Sequence, residues 1–167
     1  NGKSGLKVHT ALNGYVSRIK VSTSGYGKAL YITHPNGYTT VYAHLSRFSD
    51  NIEKYIKARQ YKKKSYEIQV FPLKNELIIT TNEVVAYSGN TGGSSGPHLH
   101  FEIRDTKTEK IINPLLFGYK VKDTKSPTIL GLRAYPANNS AAVNNISVAQ
   151  EIPLTKIKTN YYTAKPV

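Results

Sequence analysis

The 167-residue sequence contains no cysteine, no methionine and no tryptophan. Without cysteine there is no disulfide framework, no thiolate metal site and no cysteine nucleophile. No stretch is apolar for long enough to cross a membrane as a helix. Acidic residues are scarce: Asp and Glu number 10 against 23 Lys and Arg, giving a formal net charge of +13. That imbalance implies an acidic partner or an anionic surface, and nucleic acid, anionic lipid and bacterial wall polymers all qualify. The missing methionine carries a second meaning. A chain that begins Asn1-Gly2-Lys3 has neither an initiator nor a signal-peptide core, so a processed or excised piece of a longer protein is expected. What is present argues for a folded chain. Thirteen tyrosines and 39% hydrophobic residues are too many for a disordered segment. The length suits one domain, or one domain with an appendage.

The first two thirds read as strands and turns. Gly14 to Val21 alternates apolar and polar residues, as a half-buried strand does. Ala29 to Thr33 and Thr39 to His44 flank Pro35-Asn36-Gly37, a hairpin signal because Asn-Gly tolerates positive φ. Then the period changes. Ile52, Tyr55, Ile56 and Arg59 lie at helical spacing, with Asp50 placed to cap and Glu53 three residues on, as in a capping box. This predicts a basic helix over about residues 50–62. It carries Lys54, Lys57 and Arg59 and runs into Lys62-Lys63-Lys64, and is read either as one wall of a substrate groove or as a solvated face. Short strands are expected from Tyr66 to Val70, Glu76 to Thr80 and Glu83 to Tyr87. A glycine and serine loop, Ser88 to Pro97, then leads into a strand from His98 to Arg104. After Phe117-Gly118 the character shifts, with possible strands at Ile129–Tyr135 and at 152–167, the latter expected to be cut off before they find partners. Many short strands, hairpin turns and one helix argue for a mainly antiparallel β fold.

Five histidines are present, and with no cysteine any zinc site must use nitrogen and oxygen ligands. His98 and His100 are the informative pair, because residues i and i+2 of a strand share a face. Taken alone, His-x-His is equally the mark of two surface histidines on an edge strand. His9 reads as a packed or surface imidazole, and His34 as a cap for strand backbone. Glu102 shares the face of His98 and His100. It reads first as an exposed strand acid, like Asp105, and second as a support for the histidines.

Context changes the weight of the pair. Tyr42-Ala43-His44-Leu45 follows the hairpin, Gly89-Asn90-Thr91-Gly92 forms the loop, and Gly96-Pro97-His98-Leu99-His100-Phe101-Glu102 leaves it. Together and in this order the three segments resemble the lysostaphin-type, or LytM-type, zinc metallopeptidases, over about residues 5–118. The resemblance implies an antiparallel, sandwiched β core with one inserted helix. It makes His100 a zinc ligand and sets His44 and His98 beside the metal as catalytic groups. It also calls for two further ligands from a His-x-x-x-Asp segment upstream of a strand that matches Gly5 to Ala11. The 167 residues contain no His-x-x-x-Asp.

The expectation is therefore a peptidase domain over 1–118 and a C-terminal extension over 119–167 that begins a second β module. The resemblance implies a zinc-dependent peptidoglycan endopeptidase of the periplasm or cell envelope, cutting peptide stems or cross-links. This piece is expected to be inactive, with zinc absent or weakly held, for want of the upstream ligands. The alternative is a non-catalytic module that binds the wall or activates a hydrolase. A nucleic-acid partner is not expected: Lys62-Lys63-Lys64 with Tyr61 and Tyr66 is the one feature that suggests it, and no nucleic-acid motif accompanies it.

Overall fold

The structure, a computed structural model, describes residues 2–121, 124, 126–142, 145–158 and 161–164. They fall into two units, 1–120 and 121–167. In the first unit the elements run β1 (Lys7–His9), β2 (Gly14–Val21), β3 (Lys28–Thr33), β4 (Tyr38–Ala43), β5 (Arg47–Phe48), α1 (Asp50–Lys63), β6 (Ile68–Val70), β7 (Ile78–Ile79), β8 (Val84–Tyr87), β9 (His100–Asp105) and β10 (Ile111–Ile112). A 3-10 turn at Pro114–Phe117 follows.

Seven strands form one antiparallel sheet in the order β10-β9-β4-β3-β2-β6, with β7 also paired to β2. Three more form a second antiparallel sheet, β1-β8-β5. The fold is thus mainly β and antiparallel, with one helix, as the sequence predicts. The main core lies against the large sheet. Val16, Ile19, Val21, Leu30, Ile32 and Tyr42 from that sheet meet Val8, Phe48, Val85 and Ala86 from the small one. The opposite face of the large sheet buries Ala29, Tyr31, Val41 and Ala43 under Tyr26. Because both faces of β3 are covered, Ala29 to Ile32 are apolar in succession rather than in alternation, and in β4 the same holds from Val41 to Ala43.

The helix docks through Ile52 and Ile56, both fully buried, each contributing about 1.5–3 kcal/mol of transfer free energy. Its start differs from the expected capping box. Ser49 is the N-cap and makes no side-chain cap bond. Asp50 already sits in the first turn and pairs with Arg47 at 3.2 Å on the surface. Glu53 instead reaches one residue beyond the cap and accepts the Phe48 N–H at 3.0 Å. That satisfies a backbone donor of the entering strand. The helix ends at Lys64, whose backbone is left-handed and whose N–H donates to the Tyr61 carbonyl at 3.1 Å.

Among its described residues the second unit contains two strand pairs. β11 (Leu132–Ala134) pairs with β12 (Gln150–Ile152), and β13 (Leu154–Lys158) with β14 (Tyr161–Ala164), all antiparallel. The expected strand at Ile129–Tyr135 is shortened to Leu132–Ala134. After Ile152, where unpaired strands were expected, Leu154–Lys158 and Tyr161–Ala164 pair with each other, and residues 159–160 and 165–167 lie outside the described residues. No described residue of this unit is buried.

Candidate active site

The site is built where β9 and β4 end together. In β9 the residues alternate: Phe101 and Ile103 turn toward the covered side, while His100, Glu102 and Arg104 share the other face. Pairing sets Ala43 opposite His100 and Val41 opposite Glu102. One residue past β4, His44 takes a left-handed backbone with φ of 57°. Such a conformation costs a non-glycine residue about 1–2 kcal/mol. Two hydrogen bonds hold it: His44 N–H to the Tyr26 carbonyl at 3.0 Å and Leu45 N–H to the Lys28 carbonyl at 3.1 Å. The kink drops Leu45 into the main core and leaves the imidazole at the sheet end.

The glycine-rich loop supplies the other wall. Its backbone lies directly on the Ser24–Gly27 turn. A Cβ on Gly92, at φ of 74°, would stand 2.3 Å from the Gly27 nitrogen, and one on Gly27 would stand 2.4 Å from the Thr91 carbonyl carbon. Only glycine permits that approach. The contact fixes Thr91, whose hydroxyl bridges the Lys28 N–H at 3.0 Å and the Leu45 carbonyl at 2.8 Å. His98 is not part of a continuous strand with His100, as the sequence reading had it. It forms an isolated bridge to Gly89, its N–H donating to the Gly89 carbonyl at 3.0 Å, and β9 begins at His100.

His44, His98 and His100 come together, one ring nitrogen of each lying within 4.8 Å of the others. His44 is buried, His100 half-buried and His98 exposed. Each has one nitrogen committed to an acceptor. His44 Nδ1 lies 2.8 Å from the Thr91 carbonyl. His98 Nδ1 lies 2.9 Å from the Gly96 carbonyl and 3.2 Å from the Ser94 hydroxyl. His100 Nε2 lies 2.7 Å from the Glu102 carboxylate. Carbonyls and carboxylates only accept, so these nitrogens carry the protons. The lone pairs remain on His44 Nε2, His98 Nε2 and His100 Nδ1.

Glu102 is not the exposed acid that its strand position suggested. It is buried, takes hydrogen bonds from Tyr26, His100 and Arg104 Nε, the last at 2.7 Å, and forms an ion pair with Arg104 Nη2 at 2.6 Å. Burial alone would raise its carboxyl, but the bonds from Tyr26, His100 and Arg104 outweigh it and hold the carboxyl below the ordinary range. Tyr26 is pushed up in turn, chiefly by its bond to Glu102 and then by burial.

Neither remaining histidine joins the cluster. His9 is exposed, with Nδ1 at 2.7 Å from the Asn82 carbonyl. His34 is buried between the Asn13 carbonyl at 2.9 Å and the Thr40 hydroxyl at 2.8 Å. Sequence reasoning missed Tyr26, Thr91 and Arg104. Arg104 had a signal, since it lies two residues beyond Glu102 on the same strand face. Tyr26 and Thr91 act from a turn and a loop, where no period reveals contacts.

The donor set suits zinc, which takes imidazole nitrogen readily, and a carboxylate behind His100 is the usual support for a ligating histidine. Ligand atoms on a tetrahedral zinc stand about 3.3 Å apart, given bonds of about 2.0–2.1 Å. The separations of up to 4.8 Å here are wider, so three histidines on one ion would need side-chain movement.

Comparison with known proteins accords with this geometry. The chain is 34% identical over 100 residues to the DD-carboxypeptidase/endopeptidase Mpg of Neisseria meningitidis, covering 60% of this chain and 17% of that protein. It is 32% identical over 111 residues to an uncharacterised metalloprotease of Haemophilus influenzae, covering 66% and 18%. The chain thus spans less than a fifth of the length of these curated relatives. Its fold is similar to the catalytic domain of lysostaphin from Staphylococcus simulans, with a TM-score of 0.50 at 20% identity over 70% of this chain and 72% of that one. It is equally similar to the catalytic domain of EnpA from Enterococcus faecalis, with a TM-score of 0.50 at 20% identity over 71% and 74%. The pattern of Peptidase family M23 matches over residues 1–62 and 58–114, most of the first unit, and the chain belongs to that family.

Proposed function

We propose that the chain carries the greater part of a zinc-dependent peptidoglycan endopeptidase of the bacterial periplasm or envelope, with His100 as a metal ligand and His44 and His98 as acid–base groups. The observation that supports this reading is the cluster of three imidazoles with fixed tautomers in a member of a peptidase family. A relative named a DD-carboxypeptidase/endopeptidase favours a peptide bond as target, and the charge of +13 suits a polyanionic wall. Residues 119–167 we read as the start of a second β module.

Zinc, when bound, supplies Lewis acidity and a water of lowered pKa. His100 would hold it through Nδ1, because Glu102 occupies Nε2. His44 Nε2 and His98 Nε2 face the cluster as neutral bases. One takes a proton from the attacking water and returns it to the leaving amine. The other, having taken a proton from solvent before the reaction, donates its Nε2–H to the oxygen of the tetrahedral intermediate and keeps that proton through the cycle. Thr91 and Gly96 keep both rings turned for this, since each carbonyl pins the far nitrogen.

The two further ligands implied by the resemblance lie in a pattern the 167 residues do not contain, so we expect weak metal and no wall digestion from this chain alone. A second reading, a non-catalytic wall-binding or hydrolase-activating module, applies if the longer protein lacks a working ligand pair as well. Metal content by elemental analysis and digestion of purified peptidoglycan, on this chain and on a longer protein bearing an upstream His-x-x-x-Asp, separate them. Metal and digestion in the longer protein alone support the enzyme. Wall binding without digestion by the longer protein supports the second reading. Stoichiometric zinc with digestion by the 167 residues refutes the ligand assignment.

A further inference from the structure

His98 is the exposed member of the histidine cluster and lies outside the strands. Its main chain meets the fold at the bridge to Gly89, where the loop that leaves β8 closes on itself: Ser88 and Gly89 at one end face Pro97 and His98 at the other. The first half of this loop is seated on the Ser24–Gly27 turn, through Gly92 and a bond from the Gly93 N–H to the Gly25 carbonyl at 2.8 Å. The second half carries His98 at its end. A single bridge between exposed backbone groups is a weak hold for it.

Residues 2–6, which lead into β1, lie across both ends of the loop. Ser88 takes most of the contact, and it is buried. Its carbonyl accepts the Gly5 N–H at 2.7 Å and the Ser4 hydroxyl at 3.3 Å, and its N–H donates to the Leu6 carbonyl at 2.9 Å. Its hydroxyl accepts the Leu6 N–H at 3.0 Å and donates to the Lys3 carbonyl at 2.6 Å. At the other end the Gly2 N–H donates to the Pro97 carbonyl at 2.9 Å. The approach is close: a Cβ on Gly2 would stand 3.2 Å from that oxygen and 3.6 Å from the His98 Cα. Between the two anchors the segment turns at Gly5, whose backbone is left-handed, with φ of 84° and open space where a side chain would go. None of these bonds reaches a ring nitrogen of the cluster, so the segment acts on His98 through its main chain. The groups that orient the His98 ring, Ser94 and Gly96, belong to the same loop and travel with it.

We infer that residues 2–6 are a strap that holds the two ends of the loop together and so sets His98 beside His44, with Ser88 as the positioning residue through which it acts. The inference deepens the peptidase reading, and rests on it only for what the place of His98 does to hydrolysis.

Nuclear magnetic resonance on the 167-residue chain tests it. The ring centres of His44 and His98 are 4.8 Å apart, so cross-relaxation between their ring protons reports the placement, and exchange of the His98 amide reports the bridge. Ser88→Ala deletes both hydroxyl bonds to the strap. Each such bond changes an opening equilibrium by a factor of about two to ten, so His98 amide exchange should rise about ten-fold or more and the ring cross-peak should be lost. Gly5→Val leaves Ser88 and the loop unchanged, disfavours the left-handed turn and should give the same two effects. Gly37 has a matching backbone, with φ of 85° and open space around it, at the tip of the β3–β4 hairpin. Gly37→Val should therefore lower the urea midpoint of unfolding to a similar extent while keeping the cross-peak and the protection of His98. If circular dichroism shows Ser88→Ala unfolded, Gly5→Val decides. A cross-peak that survives in folded Gly5→Val, or one lost equally in Gly37→Val, overturns the inference. Hydrolysis is read separately on the longer protein. Release of His98 with undiminished hydrolysis leaves the strap standing and counts against His98 as an acid–base group, whereas reduced hydrolysis with the cross-peak intact in both strap variants overturns the strap alone.

Discussion

Replacing Glu102 by glutamine removes one negative charge from the face that carries the histidines. The Glu102 side chain is 6% exposed and the facing Arg104 side chain 15%. Breaking a buried ion pair by deleting one partner costs about 3–5 kcal/mol, because the other charge is left without compensation. Two features reduce this. Arg104 keeps a weak partner in Glu109, at 3.7 Å, and its guanidinium lies 5.7 Å from the centre of the Tyr31 ring. Glutamine also retains one acceptor oxygen. The expected loss is about 2–3 kcal/mol at neutral pH. Urea unfolding followed by far-UV circular dichroism measures it, since the chain has no tryptophan to report. The pH dependence has a definite sign. The folded carboxyl is held below its ordinary value, so the unfolded chain takes up the proton first. The stabilisation is complete above about pH 4.3 and is lost as pH falls through the lower folded value. The gap between wild type and variant should therefore stay level from neutral pH down to that point and close below it. The variant should also free His100 Nε2, and its imidazole nitrogen shifts should show a mixture of tautomers. A loss below about 0.5 kcal/mol, within the range of ordinary surface substitutions, or a gap that widens in acid would refute the reasoning.

Gly92→Ala should destabilise by at least about 2 kcal/mol, from a left-handed backbone and a collision with Gly27, and should displace Thr91 from His44; equilibrium unfolding and the His44 imidazole shifts report both effects. His34 is held below its ordinary value by burial, against its bond to the Asn13 carbonyl, so the unfolded state protonates first and stability should fall as pH drops below about 6.5. His34→Gln should flatten that slope, as judged from unfolding curves between neutral and mildly acid pH. Amides of β13 and β14 should exchange with solvent far faster than those of β3 and β4 in hydrogen-exchange mass spectrometry, because no described residue of the second unit is buried.

Strands β2, β3 and β4 were legible within a residue or so, because a hairpin signal at Pro35-Asn36-Gly37 anchors two of them and alternation marks the other. The helix was legible from Ile52 and Ile56, whose spacing fits one buried face. β5 and β10 were not, since two residues carry no period. The three histidines were legible as a group only through the resemblance. The strand argument that paired His98 with His100 relied on a strand that begins at His100, and a bridge to Gly89 positions His98 instead. Glu102 was misjudged because alternation tells which face a residue shares, not what covers that face. Here Tyr26 covers it, coming from a turn that the sequence marks only by its glycines.

The three acceptors that pin the imidazoles differ in one respect that matters for genetics. Two are main-chain carbonyls, of Thr91 and Gly96, and survive any side-chain replacement at those positions. Glu102 belongs to a side chain, and the Ser94 hydroxyl adds a second, longer side-chain contact at His98. An alanine scan of this protein would remove the acceptor of His100 outright, but would leave the carbonyls that pin His44 and His98 in place and touch, near the rings, only their supports, the Thr91 and Ser94 hydroxyls. Weakening the other two acceptors would take backbone-ester chemistry, or a change in the loop's path through Gly27 and Gly92. Substitutions at those glycines would then register as loss of site function with no altered group near the rings.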